Sequence, residues 1–248
     1  MSDLVVAAAQ SASTRGDLEL NLAEHLRFMD TAASAGAHLV VFPELSLTGY
    51  ELDLASELQL RTDDPRLEPL KEAAAKHAMH VLAGGPCESG REKPYLGAFM
   101  VSSGPTVCYA KIHVHESEEP FFTAGEDGCA MSIAGVPVGF AICADTNHPS
   151  HAADAAARGV ELYAASVMKT LAKYPAHAAT LESYAAQHRM AVMTANYAGS
   201  TGGSESAGKS AIWNDHGELV AMAETNAAAL VVARREKGLW KGEVTAMP

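Results

Sequence analysis

Short apolar runs of strand type alternate along this chain with helical stretches, and beyond residue 200 the alternation gives way to hairpins. Each strand or helix must bury its apolar side against a neighbouring layer, so this order predicts an α/β layered fold with a mixed sheet. Residues 3–10 read as the first strand. Asp17 opens a helix in which Leu18, Leu22, Leu26, Met29 and Ala33 keep helical spacing, and Gly36 closes it. A strand at 38–42 ends at Pro43. Asp64-Pro65 marks another helix start, with Leu67, Leu70, Ala74 and Ala78 as its apolar stripe. Strands come next at 79–84, 95–102 and 106–113, and a hairpin at Ala134-Gly135 leads into the alternating run 136–142. Helices at 150–158 and 175–189 then alternate with strands at 160–166 and 190–196. Strand pairs at 210–213, 218–223 and 227–234 finish the chain.

Nothing in this order resembles a linker or a repeat, so we read one domain over residues 1–248. Hydrophobic residues make up 48 % and charged residues 19 %, which provides for a substantial buried core. Aromatics reach only 6 %, and the abundant alanines favour close helix–sheet packing. A formal net charge of −12 repels phosphate backbones and argues against nucleic acid as a partner. The start MSDLVVAAAQ lacks a basic segment and reads as a strand, not a signal peptide. No apolar run approaches the roughly 20 residues needed to span a bilayer, so a cytoplasmic protein with no membrane partner is expected. Cys87, Cys108, Cys129 and Cys143 are spaced by 21, 21 and 14 residues, a pattern of neither a disulfide framework nor paired zinc ligands.

Cys143 comes directly after the buried run 136–142 and precedes a turn and a helix. That placement presents a side chain at the carboxyl end of a sheet, where ligands bind in α/β folds. Nearby cations and helix-end dipoles can activate a thiol there. Taken alone, a buried inert cysteine is the commoner outcome. Glu44, just past a strand and Pro43, is placed as a positioned base. Lys111 sits in an apolar run, Tyr-Ala-Lys-Ile-His, where carrying its charge out to solvent is the plain alternative.

Together, FPELSLTGY (42–50), KIHVHESEEPFFTAGE (111–126) and GFAICAD (139–145) resemble the nitrilase superfamily of carbon–nitrogen hydrolases. Their order and spacing also match, with 67 residues from Glu44 to Lys111 and 32 from there to Cys143. SAGKSAIWNDHGELVA (206–221) looks like the family's late strand pair. The resemblance implies an α-β-β-α sandwich, four-layered when paired as a homodimer, and a Glu–Lys–Cys site at Glu44, Lys111 and Cys143. Glu118 matches the family's second glutamate, with Glu119 as the alternative. In such a site the cysteine attacks the carbonyl carbon and the glutamate moves the proton, while the lysine and the Ala144 N–H hold the oxyanion. No cofactor or metal is implied. Tyr50, Ala144, Thr146 and Asn147 are the substrate-binding candidates.

Residues 143–150 depart from the family by lacking its usual aromatics and gaining Asn147 and His148. Thr146 to His148 form either a polar pocket wall or support beneath it. Ala124 replaces a usual proline, which should alter only that loop. His148 and His151 invite a metal reading, but no further ligands cluster with them in sequence. His113 is expected in a structural hydrogen bond. The expected substrate is a small amide; a nitrile, an N-carbamoyl compound or acyl transfer to an amine are the alternatives. From another class, residues 203–210 fit the phosphate-loop pattern GxxxxGK[ST]. The residues from 211 onward read as a hairpin, whereas a phosphate loop must open a helix.

Overall fold

The computed structural model describes residues 3–247. In chain order its elements begin with β1 (Leu4–Gln10), α1 (Leu18–Ser34), β2 (Leu39–Val41), α2 (Glu68–His77), β3 (His80–Cys87), β4 (Tyr95–Val101) and β5 (Val107–Ala110). Next come β6 (Ala130–Ile133), β7 (Val136–Ile142), α3 (Pro149–Ala157), β8 (Leu162–Ser166), α4 (Tyr174–His188) and β9 (Ala191–Ala195). The remainder is β10 (Ser200–Thr201), β11 (Ser204–Glu205), β12 (Ala211–Trp213), β13 (Leu219–Met222), β14 (Ala229–Glu236) and β15 (Leu239–Ala246).

One sheet runs β15-β14-β1-β2-β3-β4-β5 and the other β13-β12-β9-β8-β7-β6. Each has three parallel strands at its heart, β1-β2-β3 and β7-β8-β9, flanked by antiparallel neighbours. Parallel neighbours need crossover connections, and α1, α2, α3 and α4 supply them.

The central strands are buried on both faces, which fixes the layer order. Leu4, Val6 and Ala8 of β1 join Val138, Phe140 and Ile142 of β7 in a core between the sheets. The alternate residues Val5, Ala7 and Ala9 pack with Phe28, Met29 and Ala32 of α1. On the far side, Ala141, Tyr163 and Ala165 meet Ala152, Leu181, Tyr184 and Ala185 of α3 and α4. The result is the α-β-β-α sandwich expected. Each large side chain buried this way contributes about 1.5–3 kcal/mol, so the strand ends are fixed points from which site loops can hang.

Differences from the sequence reading have local causes. The predicted strand 106–113 stops at Ala110, before Lys111. Ala78 does not extend the stripe of α2 but caps it in the left-handed region, at φ 50°. β15 carries no periodic signal in the sequence, because backbone pairing to β14 holds it at an edge and its side chains are mostly exposed. The hairpin β10–β11 is built on Gly202 and Gly203, both at positive φ. Ser210 leads into strand β12 and not into a helix, so 203–210 lacks the helix that a phosphate loop must open.

Candidate active site

Glu44 lies three residues past the end of β2 in a turn stitched to β3. Phe42 N–H donates to Leu82 O at 2.9 Å and Leu47 N–H to Gly84 O at 2.8 Å. Gly84 N–H donates to Ser46 Oγ at 3.2 Å, and His25 Nε2 from α1 lies 2.9 Å from the same hydroxyl. Only glycine fits at position 84, since a Cβ there would stand 2.3 Å from Leu45 N and 2.7 Å from Pro43 O. Tyr197 OH donates to Glu44 O at 2.6 Å, tying the turn to the loop after β9.

Lys111 is the first residue past β5 and is fully buried, so the solvent-directed reading fails. Its N–H donates to Leu96 O at 2.9 Å, and its carbonyl accepts from Gly125 N–H at 2.8 Å. The loop carrying Ala124 is therefore not remote from the site. Lys111 Nζ lies 2.7 Å from Glu44 Oε1 and 2.8 and 2.7 Å from Glu118 Oε1 and Oε2. Glu118 also accepts from Tyr50 OH at 2.6 Å and His115 N–H at 2.8 Å. One ammonium thus serves two buried carboxylates, and among the described residues Glu44 Oε2 has no partner.

Cys143 begins a short helical turn, Cys143–Asn147, at the end of β7, with φ 39°. A non-glycine residue held in that region stores about 1–3 kcal/mol of strain, a cost that tends to gather at functional sites. Leu45, beside Glu44, is likewise at φ 55°. Asp145 holds the strained turn by accepting from Ile142 N–H at 3.0 Å, His113 N–H at 2.8 Å and Tyr109 OH at 2.7 Å. It ties the Cys143 turn to the Lys111 segment. As the second residue of the turn, Ala144 contributes one of the N–H groups that a helical start leaves without an internal acceptor.

Burial pushes the Glu44 carboxyl up to about 7; Lys111 opposes this and Glu118 adds to it. Burial alone would lower Lys111, but Glu44, Cys143 and Glu118 together hold it above its ordinary range. Burial and then Glu44 raise the Cys143 thiol to about 11, against Lys169 and Lys111. The cations act on the thiol in the direction the sequence reading expects, but desolvation outweighs them. Moving the proton from sulfur to Glu44 neutralises that carboxylate and so removes its repulsion of the thiolate, while Lys111 and Lys169 favour the charged sulfur.

The half-buried Cys143 opens onto a cleft of 720 Å³ whose lining includes Tyr50, Glu118, Ala144, Asn147 and Lys169. Three of the four substrate-binding candidates therefore reach it. Thr146 is the correction: it is fully buried, and its hydroxyl donates to Cys143 O at 2.6 Å beneath the turn. His148 stacks on His113 at 3.7 Å, while His151 lies 2.9 Å from Tyr109 OH and 2.8 Å from Tyr163 OH. His113 has the expected structural bond, to Asp145. Sequence reasoning misses two residues of the site, Asp145 and Lys169, the latter past β8. Asp145 stands inside the motif GFAICAD; no local pattern marks Lys169.

Residues 5–241 match the family model for carbon-nitrogen hydrolase. The chain belongs to the carbon–nitrogen hydrolase family. It is 28 % identical over 219 residues to a nitrilase of Pyrococcus abyssi, covering 86 % of this chain and 82 % of that one. It is 26 % identical to the 2-oxoglutaramate amidase of Bacillus subtilis, covering 85 % and 79 %. A glutamine-dependent NAD(+) synthetase of Thermotoga maritima is 32 % identical over 156 residues, but the chain spans only 27 % of its length. Among solved structures, a mutant of the amidase from Nesterenkonia sp. AN1 in complex with butyramide superposes with a TM-score of 0.85 at 21 % identity, covering 96 % of this chain and 92 % of that one. The structural likeness establishes the fold.

Proposed function

We propose that this carbon–nitrogen hydrolase cleaves a small amide through a thioester on Cys143. The observation that carries this is Glu44: one oxygen is fixed by Lys111 at 2.7 Å, and the other, unpaired among the described residues, is buried at the same site as the thiol. A carboxylate titrating near neutrality is suited to both accept and return a proton. Glu44 takes the Cys143 proton as sulfur bonds to the carbonyl carbon. The carbonyl oxygen becomes an oxyanion, held by Lys111 and the Ala144 N–H. As the oxyanion collapses, the carbon–nitrogen bond breaks and Glu44 returns the proton to the leaving amine. Water, deprotonated by Glu44, then cleaves the thioester to release acid and thiol. Glu118 balances the lysine charge, and Tyr50 orients Glu118 from the cleft wall.

The shared core between the sheets supports one domain over the chain. Homodimer pairing is the assembly we propose. The family resemblance supports it, as do exposed alanines on α3 and α4, among them Ala153, Ala157, Ala179 and Ala186. Four free cysteines fit the reducing cytoplasm as its location. The test of activity is an ammonia-release screen over aliphatic amides, ω-amides of dicarboxylic acids, carbamoyl amino acids and nitriles. Ammonia from amides, lost in Cys143→Ala, is the expected result. Release from nitriles alone would transfer the reading to nitrile hydrolysis.

A further inference from the structure

Lys169 is a buried cation that the hydrolytic steps leave unused. We propose that it binds a carboxylate on the substrate, so that the amide cleaved here is the ω-amide of a short dicarboxylic acid. This rests on the amide reading and narrows its substrate class.

The starting observation is a buried ammonium without a close ion-pair partner, which reaches Glu44 only as a longer-range charge. Lys169 is only 6 % exposed. The buried Lys111 is matched by two carboxylates within 2.8 Å. Among the described residues, Lys169 Nζ has no carboxylate at ion-pair distance, and its side-chain hydrogen bond goes to the neutral Asn147 Oδ1 at 3.4 Å. Removing an ammonium from water without a partner is costly, so the arrangement is completed when an anion enters the cleft. A carboxylate on the substrate supplies it.

The second observation is that the lysine is held in place. Its N–H donates to Asn196 Oδ1 at 3.0 Å, and its carbonyl accepts from Asn196 Nδ2 at 3.0 Å and from Ala207 N–H at 2.8 Å. Ser206 Oγ adds a contact to the same carbonyl at 3.4 Å. Residues 203–210, which mimic a phosphate loop in sequence, thus serve to buttress this lysine. Asn147, one of the departures from the family pattern, holds its tip. A fixed backbone and a burial-restricted side chain leave less freedom to lose on binding, which favours a specific ionic contact over an incidental one.

The third observation is proximity to the reacting sulfur. Met168 O, one residue before Lys169, lies 3.7 Å from Cys143 Sγ, and β7 and β8 are paired neighbours. Lys169 also counters the raising of the Cys143 thiol, more strongly than Lys111 does. Cys143 and Lys169 line the same cleft, so one short substrate can meet both. Lys173 lies exposed on the same cleft, which adds positive charge to one wall of a pocket in a chain of net charge −12. His177, beside Lys169, is held neutral because burial and then Lys169 push its titration down to about 3. A charge-assisted bond of lysine to carboxylate supplies the recognition.

The test compares glutaramate with valeramide, which differ only by a terminal carboxylate in place of a methyl group. Wild type is expected to favour glutaramate in kcat/KM by at least about 30-fold, as one charge-assisted bond predicts. Lys169→Met should bring that ratio to within about 3-fold, and Lys169→Arg should retain part of it. The ratio separates recognition from any support Lys169 gives the thiol, because a general loss of nucleophile would lower both amides alike. A wild type that turns over valeramide as well as glutaramate, or a Lys169→Met ratio equal to wild type, overturns the carboxylate and leaves the amide reading standing. Ammonia from neither, nor from any other amide in the screen, overturns both.

Discussion

Lys111 holds Glu44 by one oxygen only: Nζ stands 2.7 Å from Oε1, while the equally buried Oε2 has no partner among the described residues. A second hydrogen bond would stabilise the carboxylate and lower its pKa, removing it from the range where it both takes and gives a proton. Burial, with Glu118 adding to it, outweighs the single bond from Lys111, which is why a lysine-paired glutamate titrates near neutrality here.

Activity should therefore follow the ionisation of that carboxylate. kcat/KM is expected to rise as the pH passes through about 7, where Glu44 becomes a base. The midpoint belongs to the coupled Glu44–Lys111–Glu118 cluster. Glu44→Gln should lower kcat by roughly 10²–10⁴-fold. A pH–rate profile flat from about 5.5 to 8.5, or a fully active Glu44→Gln, would remove Glu44 from the chemistry.

Cys143→Ala should abolish turnover with a melting temperature close to wild type, because removing one sulfur at a strand end that opens onto a cleft leaves little cavity. Alkylation of Cys143 by iodoacetamide should keep accelerating above pH 8, since its thiol is pushed up to about 11. A rate that levels off below about pH 7, read by mass spectrometry of the modified peptide, would mean a resting thiolate.

Gly84 is predicted to matter for catalysis without touching substrate. Gly84→Ala places a Cβ 2.3 Å from Leu45 N and displaces the Glu44 turn, costing about 1–3 kcal/mol of stability. A misplacement of about 1 Å in the base should cost on the order of 10²-fold in kcat. Gly104→Ala, with only Ser102 Oγ nearby at 3.7 Å, is the control. Equal kinetics for the two variants would contradict this account of the turn.

Acid should destabilise the fold. His25 and His177 are buried, which lowers their titration from 6.5 to about 4 and about 3. The unfolded chain takes up these protons first, so stability falls as the pH drops below 6.5. Glu44 acts the other way, because its native value of about 7 exceeds 4.5 and acidification between those values favours the fold. Between pH 6.5 and 4 the histidines amount to at most roughly 7 kcal/mol, against about 3 kcal/mol for Glu44. Thermal melts should show a falling midpoint over that range; a flat or rising one would refute the balance.

The phosphate-loop coincidence has its own test. Lys209 lies 5.7 Å over the Tyr174 ring at φ 54°, so Lys209→Gly removes the side chain without backbone strain. Amide turnover should change by less than about 3-fold, and magnesium-ATP should leave the melting temperature of wild type unmoved. An ATP-dependent rise, lost in the variant, would restore the nucleotide reading.

Much of the layering was legible because it rests on periodicity that a linear chain displays. The alternate residues of β1 face two different cores, and such doubly buried strands read directly as apolar runs. β15 was invisible for the opposite reason: it is stabilised by backbone pairing to β14, and pairing leaves no hydrophobic signature. Glu44, Lys111 and Cys143 could be picked out by the motifs around them. Lys169 could not, since a lysine in Val-Met-Lys-Thr looks like any surface lysine until its burial is known.

The sequence by itself determined most of the element types, their order up to β14 and the family to which the chain belongs. It also placed two reactive side chains, Glu44 and Cys143, at strand ends, because strand propensity and turn chemistry act over a few neighbouring residues. Only the tertiary structure decided their protonation and their partners. Glu44 near 7 and a thiol near 11 arise from water excluded by two sheets. The contacts that tie the site's loops to the sheets join residues far apart in the chain, such as Gln10 with Ser210 and Tyr197 with Glu44. Desolvation and Coulomb fields depend on distance in space, and the fold alone sets that distance.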